Sequence, residues 1–410
     1  MRVQIFVVAF VLTLGAVSSQ ALNLVPQQIT VSGNSATLLV PEGMQVQFMA
    51  AASGARFPAL GPDNELIIGS NGPTVFRLAP PYNNATTLVQ IGNRSHSVAY
   101  RGNKLFIADT AGLYEAPYNG LSTNLQAGDL VKIADLPVGG HSSRTVIAAP
   151  DGTLYLSIGI SGNCSNQYLD NSYPFDTRRG GVFRIDESGL TPELVPFASG
   201  LRNPIGIAVH PATGDLWTTN AGSDNLGYEE PREIFARLFQ DSWHGMPWFQ
   251  YINGSFQDGQ CINTATAPRP ASEARAPAVT FLARSTPMGI AFVTDNRLGD
   301  DFNGNALVSV HGSWATDPTK GGGPETRRPP KVAMVNFSGN QAVSVEDVVT
   351  GFQRGDGSRF ARPSGAIIGP DGQLYFTSDG GEVQGLFRLV QLVAMGNATI
   401  TPGLILLLDG

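Results

Sequence analysis

The stretch Gly139–Gly159, GGHSSRTVIAAPDGTLYLSIG, reads as a short polar group followed by two apolar runs. The runs are Thr145–Ala149 and Leu154–Ile158, and the PDG sequence between them has the composition of a tight turn. Two strands joined by so short a turn form an antiparallel hairpin. Because the chain enters and leaves a hairpin at the same end, the polar group and the residues after the second strand share one rim.

Five further segments repeat this order of polar residue, strand, turn and strand. Repeats of this size, each forming one small sheet, indicate a ring of stacked sheets because a single repeat cannot bury both of its faces. We therefore predict an all-β fold, a six-bladed β-propeller. Unrelated hairpins in a β-sandwich are the alternative, and the constant position of the polar residue disfavours it. The six copies begin at Arg56, His96, His141, Arg202, Thr286 and Arg362.

The first twenty residues have the features of a secretory signal peptide. A basic start at Arg2 precedes the apolar run Ile5–Ala16, and small residues follow it. This run is shorter than the ~20 apolar residues of a membrane-spanning helix. We predict a secreted, extracellular protein with no membrane span. Its predicted parts are a signal peptide over 1–20, a propeller domain over 21–392 and a C-terminal extension over 393–410.

Secretion guides the interpretation of the cysteines and the glycosylation sequons. In an oxidising compartment, Cys164 and Cys261 favour a disulfide over two buried free thiols. Six Asn-x-Ser/Thr sequons predict that the protein carries N-glycans. The sequons are at Asn84, Asn93, Asn163, Asn253, Asn336 and Asn397.

The composition limits the possible partners. Charged residues make up 14% of the chain, below the usual ~25%, and the net charge is −7. An acidic chain without a basic stripe argues against a nucleic-acid partner. The 48 glycines and 28 prolines suit a fold with many tight turns.

Closure of the ring would bring several polar groups to one mouth. Arg56, Arg202 and Arg362 around one opening are costly unless an anion neutralises them, and guanidinium groups pair well with planar carboxylates. The segment NAGSDN at 220–225 offers side-chain and backbone oxygens, the ligands that Ca²⁺ prefers. A histidine adds a group that can accept a proton near neutral pH. Together these groups predict a polyanionic ligand, one divalent cation and one base.

Several of these segments resemble the soluble pyrroloquinoline-quinone (PQQ)-dependent sugar dehydrogenases, most closely the sorbosone-dehydrogenase-like and fungal pyranose dehydrogenase branch. The resemblance covers the chain from about Val46 to Val390 and implies a six-bladed propeller with PQQ and Ca²⁺ as cofactors. It implies a quinoprotein oxidoreductase that transfers hydride from a sugar hydroxyl to PQQ and passes the electrons to an external acceptor, such as a cytochrome domain or protein. The segments are GGHSSRT, APDGTLYLSIG, GLRNPIGIAVHPATGDLW, HGSW and RPSGAIIGPDGQLYFTSD.

The resemblance also implies roles for individual residues. His141 corresponds to the base that removes the hydroxyl proton. The bacterial glucose dehydrogenases have two closely spaced arginines near the last blade, where this chain has Arg362 alone. The implied cofactor contacts are Arg56, Arg202, Asn203, His311 and Arg362. The implied contributors to the metal site are Asn220, Ala221, Gly222 and Asp224.

Two other functions are compatible with such a propeller. A Ca²⁺-dependent lactonase or esterase needs a carboxylate-rich cage at the channel centre, where this sequence places arginines. A non-catalytic propeller that binds glycans or proteins would tolerate the loss of His141.

The longest departure from the repeat is Tyr228–Ala274. We predict one short helix in the stretch GYEEPREIFARLFQDSWHGMPWFQY at 227–251, which also contains Trp243, Trp248, Phe249 and Tyr251. The aromatic residues either form the wall of a pocket or pack as a plug on the rim.

Overall fold

Six small sheets surround one central channel in the computed structural model, which describes residues 21–392, and the four main strands of each sheet are antiparallel. The predicted signal peptide over 1–20, the predicted extension over 393–410 and the sequon at Asn397 lie outside the described residues. Within 21–392 the regular elements are 29 strands and eight 3₁₀ turns. Each 3₁₀ turn has three residues, so no helical segment of the described part has the length and apolarity to cross a bilayer.

The chain enters through a hairpin and one further strand, and then forms blades 1 to 3 in sequence. The first three strands are β1 (Leu24–Val31), β2 (Asn34–Pro41) and β3 (Met44–Ala51). Blade 1 contains β4 (Ala55–Leu60), β5 (Leu66–Ser70), β6 (Thr74–Leu78) and β7 (Thr86–Gln90). Blade 2 contains β8 (Ser97–Arg101), β9 (Lys104–Ala108), β10 (Gly112–Pro117) and β11 (Val131–Asp135). Blade 3 contains β12 (Val146–Ala148), β13 (Leu154–Ile158), β14 (Gly181–Asp186) and β15 (Glu193–Ser199).

Blades 4 to 6 complete the ring, and blade 4 is interrupted by an insertion. Blade 4 contains β16 (Asn203–Val209), β17 (Leu216–Ala221) and β18 (Glu233–Leu238), followed after the insertion by its fourth strand. The insertion strands are β19 (Ser242–Trp243), β20 (Phe249–Ile252) and β21 (Ser255–Asp258), and the fourth strand is β22 (Val279–Phe281). Blade 5 contains β23 (Pro287–Phe292), β24 (Ala306–Val310), β25 (Lys331–Ser338) and β26 (Gln341–Val349). Blade 6 contains β27 (Pro363–Ile368), β28 (Leu374–Ser378) and β29 (Gly385–Gln391).

The eight 3₁₀ turns all lie in connections between strands. They are Gly120–Ser122, Ala127–Asp129, Phe175–Thr177, Thr264–Thr266, Ala271–Glu273, Asp300–Phe302, Pro318–Lys320 and Pro324–Thr326.

The ring closes by pairing strands from the two ends of the chain. Strand β3 is the outermost strand of blade 6 and runs antiparallel to β29, with Ala51 opposite Gly385 and Met44 opposite Gln391. The six-bladed propeller predicted from the repeats is therefore confirmed. Closure with strands from both ends joins the start of the described chain to its end within blade 6.

The hydrophobic core is divided among the interfaces between neighbouring sheets. Leu66 and Ile68 of blade 1 pack with Tyr375 and Leu386 of blade 6, and all four side chains are buried. Burying a side chain of this size contributes roughly 1.5–3 kcal/mol. The second strand of a blade is covered on both faces, and β5, β24 and β28 are buried along their whole length.

The helix predicted in 227–251 is wrong, because the regular elements of this stretch are strands β18, β19 and β20. Strand β18 pairs with β17 and β22 in the middle of blade 4, and both of its faces are buried. A strand covered on both faces lacks the alternation of polar and apolar residues, and short runs of this kind are not distinguishable from a buried helix by periodicity. Further along, Trp243 and Trp248 pack with Tyr168 in a buried cluster, so these aromatic residues form a plug on the rim.

The plug is attached covalently to the neighbouring rim loop. Cys164 and Cys261 form a disulfide, with their Cα atoms 5.0 Å apart, which confirms the predicted bond. The disulfide links the loop after β13 to the segment after β21.

Candidate functional site

One mouth of the channel is a polar cavity of about 460 Å³. It lies at the starts of the inner strands, where the sequence predicted a shared rim. Nine of the ten predicted site residues line it, namely Arg56, His141, Arg202, Asn203, Ala221, Gly222, Asp224, His311 and Arg362.

The structure does not bring the tenth predicted residue, Asn220, into the lining of the cavity. Its Oδ1 atom accepts a hydrogen bond of 2.9 Å from the backbone N–H of Asn203. Asn220 therefore fixes the end of β17 against the start of β16, one residue away from the cavity wall.

The opposite mouth of the channel is different in character. It forms a cavity of about 420 Å³ lined by apolar residues of the inner strands, including Leu60, Ile207, Phe292 and Ile368. None of its lining residues carries a formal charge at pH 7. The polar mouth is therefore the candidate site.

His141 faces the polar cavity in a defined tautomer. Its Nδ1 atom lies 2.6 Å from the carbonyl oxygen of Ile160, which can only accept, so Nδ1 carries the hydrogen and Nε2 is unprotonated. Burial, followed by the positive charge of Arg202, lowers the pKa of His141 to about 4. The imidazole is thus neutral at pH 7 and can accept a proton at Nε2.

Two buried arginines hold the loop that carries His141. Arg144 donates 2.7 Å hydrogen bonds to the carbonyls of His141 and Ser143 and one of 2.8 Å to that of Pro137. Arg179 donates to the carbonyls of Gly159 at 2.9 Å, Gly139 at 2.7 Å and His141 at 3.2 Å. The loop is therefore fixed through its backbone carbonyls by two arginines, and the sequence analysis gave no role to Arg179.

Gly140 is required by the close approach of two rim loops. Its φ is +64°, and a Cβ atom at this position would lie 1.9 Å from the backbone oxygen of Ser161. A side chain here would push apart the loops before β12 and after β13. Since Ile160, one residue before Ser161, holds the imidazole of His141, this contact also sets the position of the base.

A chain of hydrogen bonds beneath the cavity joins all six blades. Asp379 accepts from Arg56 Nε at 2.7 Å and from His311 Nε2 at 2.6 Å. Arg56 Nη1 lies 3.3 Å from Nδ1 of His96, whose Nε2 lies 3.1 Å from Thr145 Oγ1. Thr145 donates in turn to a backbone carbonyl of blade 4. From blade 5 around to blade 4, the members are His311, Asp379, Arg56, His96, Thr145 and Ile205.

The donors and acceptors in this chain of hydrogen bonds can be assigned from the carbonyl at its end. Because Thr145 donates onward, it accepts from His96 Nε2–H, and His96 Nδ1 accepts from Arg56. Burial and then Arg56 hold the pKa of His96 well below its ordinary value. Burial would raise the pKa of Asp379, but the facing His311 and Arg56 hold it well below its usual range. An Arg⁺–Asp⁻ pair therefore sits between two imidazoles under the cavity floor.

A second ion network forms the side of the cavity in blade 4. Arg202 donates through Nη2 to Asn163 Oδ1 at 2.9 Å and to Asp224 Oδ2 at 3.1 Å. Arg284 donates to Asp224 Oδ1 at 2.5 Å. We call Arg56, Arg202 and Arg284 the paired arginines, because each binds a carboxylate.

Arg362 is held in a different way. Its guanidinium donates to the carbonyls of His311 at 3.1 Å and Gly312 at 3.0 Å, and its centre lies 4.2 Å from the ring centroid of Trp314. Trp314 is 72% exposed at the lip of the cavity. The stacked guanidinium is therefore fixed in position while its charge is not neutralised by a carboxylate of the described residues.

Several cavity residues were missed by the sequence reasoning. Arg94 and Arg284 each lie two residues before the polar residue at which a repeat begins. Extending each repeat by two residues toward the N-terminus would have included them. Asp379 follows β28 in the position that Asp109 occupies after β9, but Asp109 is bonded to the backbone N–H groups of its own turn. Glu233 begins β18 and carries no signal in the sequence.

The cavity has a donor set that fits an anionic ligand such as PQQ. Five arginines line it against two acidic side chains, Asp224 and Glu233. The Oδ1 atom of Asn203 is buried and has no hydrogen-bond partner within residues 21–392, so it is available to a ligand donor. The cavity volume is within the ~300–1,000 Å³ that is usual for small-molecule sites.

The oxygen donors for a cation are more limited. Both carboxylate oxygens of Asp224 are engaged by guanidinium groups. Glu233 accepts from the backbone N–H of Gly222 at 3.1 Å, and burial raises its pKa to about 7. A Ca²⁺ ion here would take its oxygen ligands from the backbone of Ala221 and Gly222 and from Glu233, which fits the preference of Ca²⁺ for oxygen.

Comparison with known sequences gives one family match. A sequence model of the glucose/sorbosone dehydrogenase family matches residues 130–313, which confirms the resemblance predicted from the motifs. The matched segment includes His141, Arg202 and His311 and excludes Arg56 and Arg362. An uncharacterized protein of Borreliella burgdorferi is 23% identical over 364 residues, which are 85% of this chain and 89% of that protein.

Three solved structures illustrate the shared fold. A calcium structure of a Trichoderma reesei protein of Carbohydrate-Active Enzymes family AA12 is 19% identical, with a TM-score of 0.70 over 86% of this chain and 97% of that one. The holo PQQ domain of a Coprinopsis cinerea pyranose dehydrogenase is 16% identical, with a TM-score of 0.66 over 86% and 97%. The PQQ-bound aldose sugar dehydrogenase of Streptomyces coelicolor is 15% identical, with a TM-score of 0.58 over 86% and 99%. At these identities the similarity is one of fold.

Proposed function

We propose that this chain, whose residues 130–313 match the glucose/sorbosone dehydrogenase family, is a PQQ- and Ca²⁺-dependent dehydrogenase that oxidises a sugar hydroxyl. One observation supports this proposal above the others. A neutral imidazole with a free Nε2 faces a cavity that also contains two guanidinium groups without carboxylate partners in the described residues. This combination offers a base for a hydroxyl proton and a receptor for a polyanionic cofactor.

The residues of the chain would hold the cofactor and move one proton. When bound, PQQ would supply a quinone that accepts hydride and Ca²⁺ would supply a Lewis acid. His141 Nε2 accepts the proton of the sugar hydroxyl. Arg56 and His311 are preorganised by their common partner Asp379, so they need no rearrangement to meet a ligand.

The fixed backbone of the His141 loop contributes to catalysis by positioning. Arg144 and Arg179 hold the loop through several carbonyls, so the imidazole does not have to be ordered during the reaction. The sugar is proposed to enter from the rim, where Trp314 lies at the lip of the cavity and the segments Tyr228–Ala274 and Ala315–Pro330 each contribute one lining residue, Glu233 and Ala315. These segments are proposed to set the preference among pyranose, aldose and ketose substrates, and the electrons are proposed to leave to an external acceptor.

The arginine-rich lining disfavours the lactonase alternative. A hydrolytic Ca²⁺ site at the channel centre would need a cage of carboxylates, whereas five arginines and two acidic residues line this cavity. The two activities are compared directly in assays with the same protein. We expect sugar oxidation in the presence of PQQ and no lactone hydrolysis with Ca²⁺ alone.

A cofactor titration tests the proposal. The purified apo-protein is titrated with PQQ, with and without Ca²⁺, and followed by absorbance. The reconstituted protein is then assayed for dye reduction with a panel of pyranoses, aldoses and ketoses. We expect tight binding with Ca²⁺, sugar-dependent dye reduction and loss of that reduction in His141→Gln. Absence of both PQQ binding and dye reduction would overturn the proposal.

Secretion and glycosylation are part of the same proposal and have their own test. When the full chain is expressed in a eukaryotic secretory host, the protein should be recovered from the culture medium. Its N-terminal residue should lie near residue 21. Its mass should fall on treatment with a glycosidase that removes N-glycans. Retention of residues 1–20 in the purified protein would contradict the predicted signal peptide.

A further inference from the structure

The cavity contains more guanidinium charge than its acidic side chains neutralise. The paired arginines are bound by Asp379 or Asp224. Arg94 and Arg362 form no ion pair within residues 21–392. Arg362 already has an implied cofactor contact, whereas nothing in the sequence or in the comparisons assigns a role to Arg94.

Arg94 is placed at the cavity wall with most of its donors unused. It lies on the loop before β8, and its Nη1 donates to Ser142 Oγ at 2.7 Å. A guanidinium has five N–H groups. The bond to Ser142 is its one side-chain hydrogen bond in the described part of the chain, so the remaining N–H groups are available to a ligand.

The electrostatic surroundings of Arg94 are unfavourable in the absence of an anion. Burial and then the neighbouring charge of Arg56 lower the pKa of Arg94 to about 10, while Asp379 opposes this shift. A polypeptide gains nothing in stability from a half-buried cation beside a second cation. A bound anion would remove the repulsion and provide acceptors for the free N–H groups.

We infer that Arg94 is an anion-binding residue of this cavity and binds a carboxylate of PQQ, an inference that rests on the proposed function. Guanidinium binds carboxylate through two parallel hydrogen bonds, which fixes orientation as well as charge. Ser142, the partner of Arg94, directly follows His141. A ligand held by Arg94 is therefore anchored beside the loop that carries the base.

Binding of PQQ to the full chain in the presence of Ca²⁺ tests the inference without turnover. The dissociation constant is measured by absorbance and by quenching of tryptophan fluorescence, at low and high salt. We expect Arg94→Gln to weaken binding about 10- to 100-fold, since a charge-assisted hydrogen-bonded pair is lost. Arg94→Lys should recover part of the affinity, because it restores the charge but not the two-pronged geometry.

Two control variants separate the anion contact from indirect effects. Arg297→Gln removes the same charge from an exposed turn on the opposite face, where Arg297 pairs with Asp295, and should change the affinity less than about twofold. Ser142→Ala removes the protein partner of Arg94 and should have a similarly small effect. If Ser142→Ala weakens binding as much as Arg94→Gln does, Arg94 acts by holding the loop, and the inference is wrong.

The outcomes for Arg94 and for the proposed function are distinguishable. Unchanged PQQ affinity in Arg94→Gln, with weakened affinity in Arg362→Gln, overturns the role of Arg94 and leaves the proposed function in place. Failure of the unmodified protein to bind PQQ overturns the proposed function and this inference together. Thermal unfolding of each variant establishes that it is folded. If Arg94→Gln is not folded, the PQQ affinity of Arg94→Lys is compared with that of the unmodified protein instead.

Discussion

Arg56 of blade 1 and His311 of blade 5 bind opposite oxygens of the same buried carboxylate, that of Asp379 in blade 6. Arg56 Nε lies 2.7 Å from Oδ2, and His311 Nε2 lies 2.6 Å from Oδ1. Three blades thus meet at one side chain directly below the cavity. A ligand that contacts Arg56 or His311 therefore meets groups whose positions are already determined by the closure of the ring.

The first prediction concerns this shared carboxylate. Replacing Asp379 by Asn keeps the shape but leaves Arg56 buried without a counter-ion, so the free energy of unfolding should fall by about 3–5 kcal/mol. Chemical denaturation at pH 7 measures the loss. The exposed pair Arg297–Asp295 provides the matched control, and Asp295→Asn should change the stability much less, because solvent screens an exposed ion pair.

The pH dependence of this effect has a definite sign. The folded-state pKa of Asp379 is depressed, so its contribution to stability is present above the pKa of the unfolded chain, ~3.9, and is lost as the pH falls below that value. The difference between the unmodified protein and Asp379→Asn should therefore be constant from pH 5 to pH 8 and shrink in strong acid. A difference that is absent at pH 7 would contradict the assigned ion pair.

The second prediction concerns the protonation of His141. Only the neutral imidazole accepts a proton, and burial and Arg202 lower its pKa to about 4 from 6.5. The acid limb of kcat/KM should therefore lie below pH 6.5, and His141→Gln should lower kcat by about 10²- to 10⁴-fold with PQQ affinity largely retained. An acid limb at or above pH 6.5, measured with sugar and dye, would show that another group controls the reaction.

The arrangement of blades was predictable because each blade is formed by strands that are close together in the sequence. Two apolar runs and a turn sequence such as PDG predict each hairpin, and the polar residue before each inner strand indicates the position of the rim. Closing six such units into a ring then places Arg56, His141, Arg202 and Arg362 at one mouth without further information. These four residues were predicted together for that reason.

The pairing of charges could not be predicted in the same way. Which carboxylate neutralises which arginine depends on side-chain directions and on distances between blades, and neither is encoded in the spacing of one repeat. The segment NAGSDN and the family resemblance predicted that Asp224 contributes to a metal site, but nothing in the repeat indicated that Arg202 and Arg284 bind both of its oxygens. The helix predicted after Tyr228 failed for a related reason, since a strand buried on both faces shows no alternation.

The third prediction concerns the sequon at Asn163. Its Oδ1 accepts from Arg202 Nη2 and from the backbone N–H of Asp224, so the side chain holds two residues that line the cavity. A glycan on its amide nitrogen would place a sugar chain at the mouth of the cavity. We expect Asn163 to be unmodified and the exposed Asn84 and Asn253 to be occupied. Mass spectrometry of glycopeptides from the secreted protein measures each site, and an occupied Asn163 in active protein would contradict this role.

The fourth prediction concerns the disulfide beside this sequon. Cys164 and Cys261 are 97 residues apart in sequence, and loss of such a cross-link costs about 2–5 kcal/mol of stability. Cys164 also follows Asn163, which holds Arg202, so the double Cys→Ser variant should bind PQQ more weakly as well as unfold more easily.

A matched pair of variants separates the two effects of the disulfide. Asn163→Ala removes the contact with Arg202 and leaves the disulfide intact, so it should weaken PQQ binding with a smaller loss of stability than the double Cys→Ser variant. Affinity is measured by titration and stability by denaturation under non-reducing conditions. If the double Cys→Ser variant binds PQQ as tightly as the unmodified protein, the disulfide stabilises the rim without positioning Arg202.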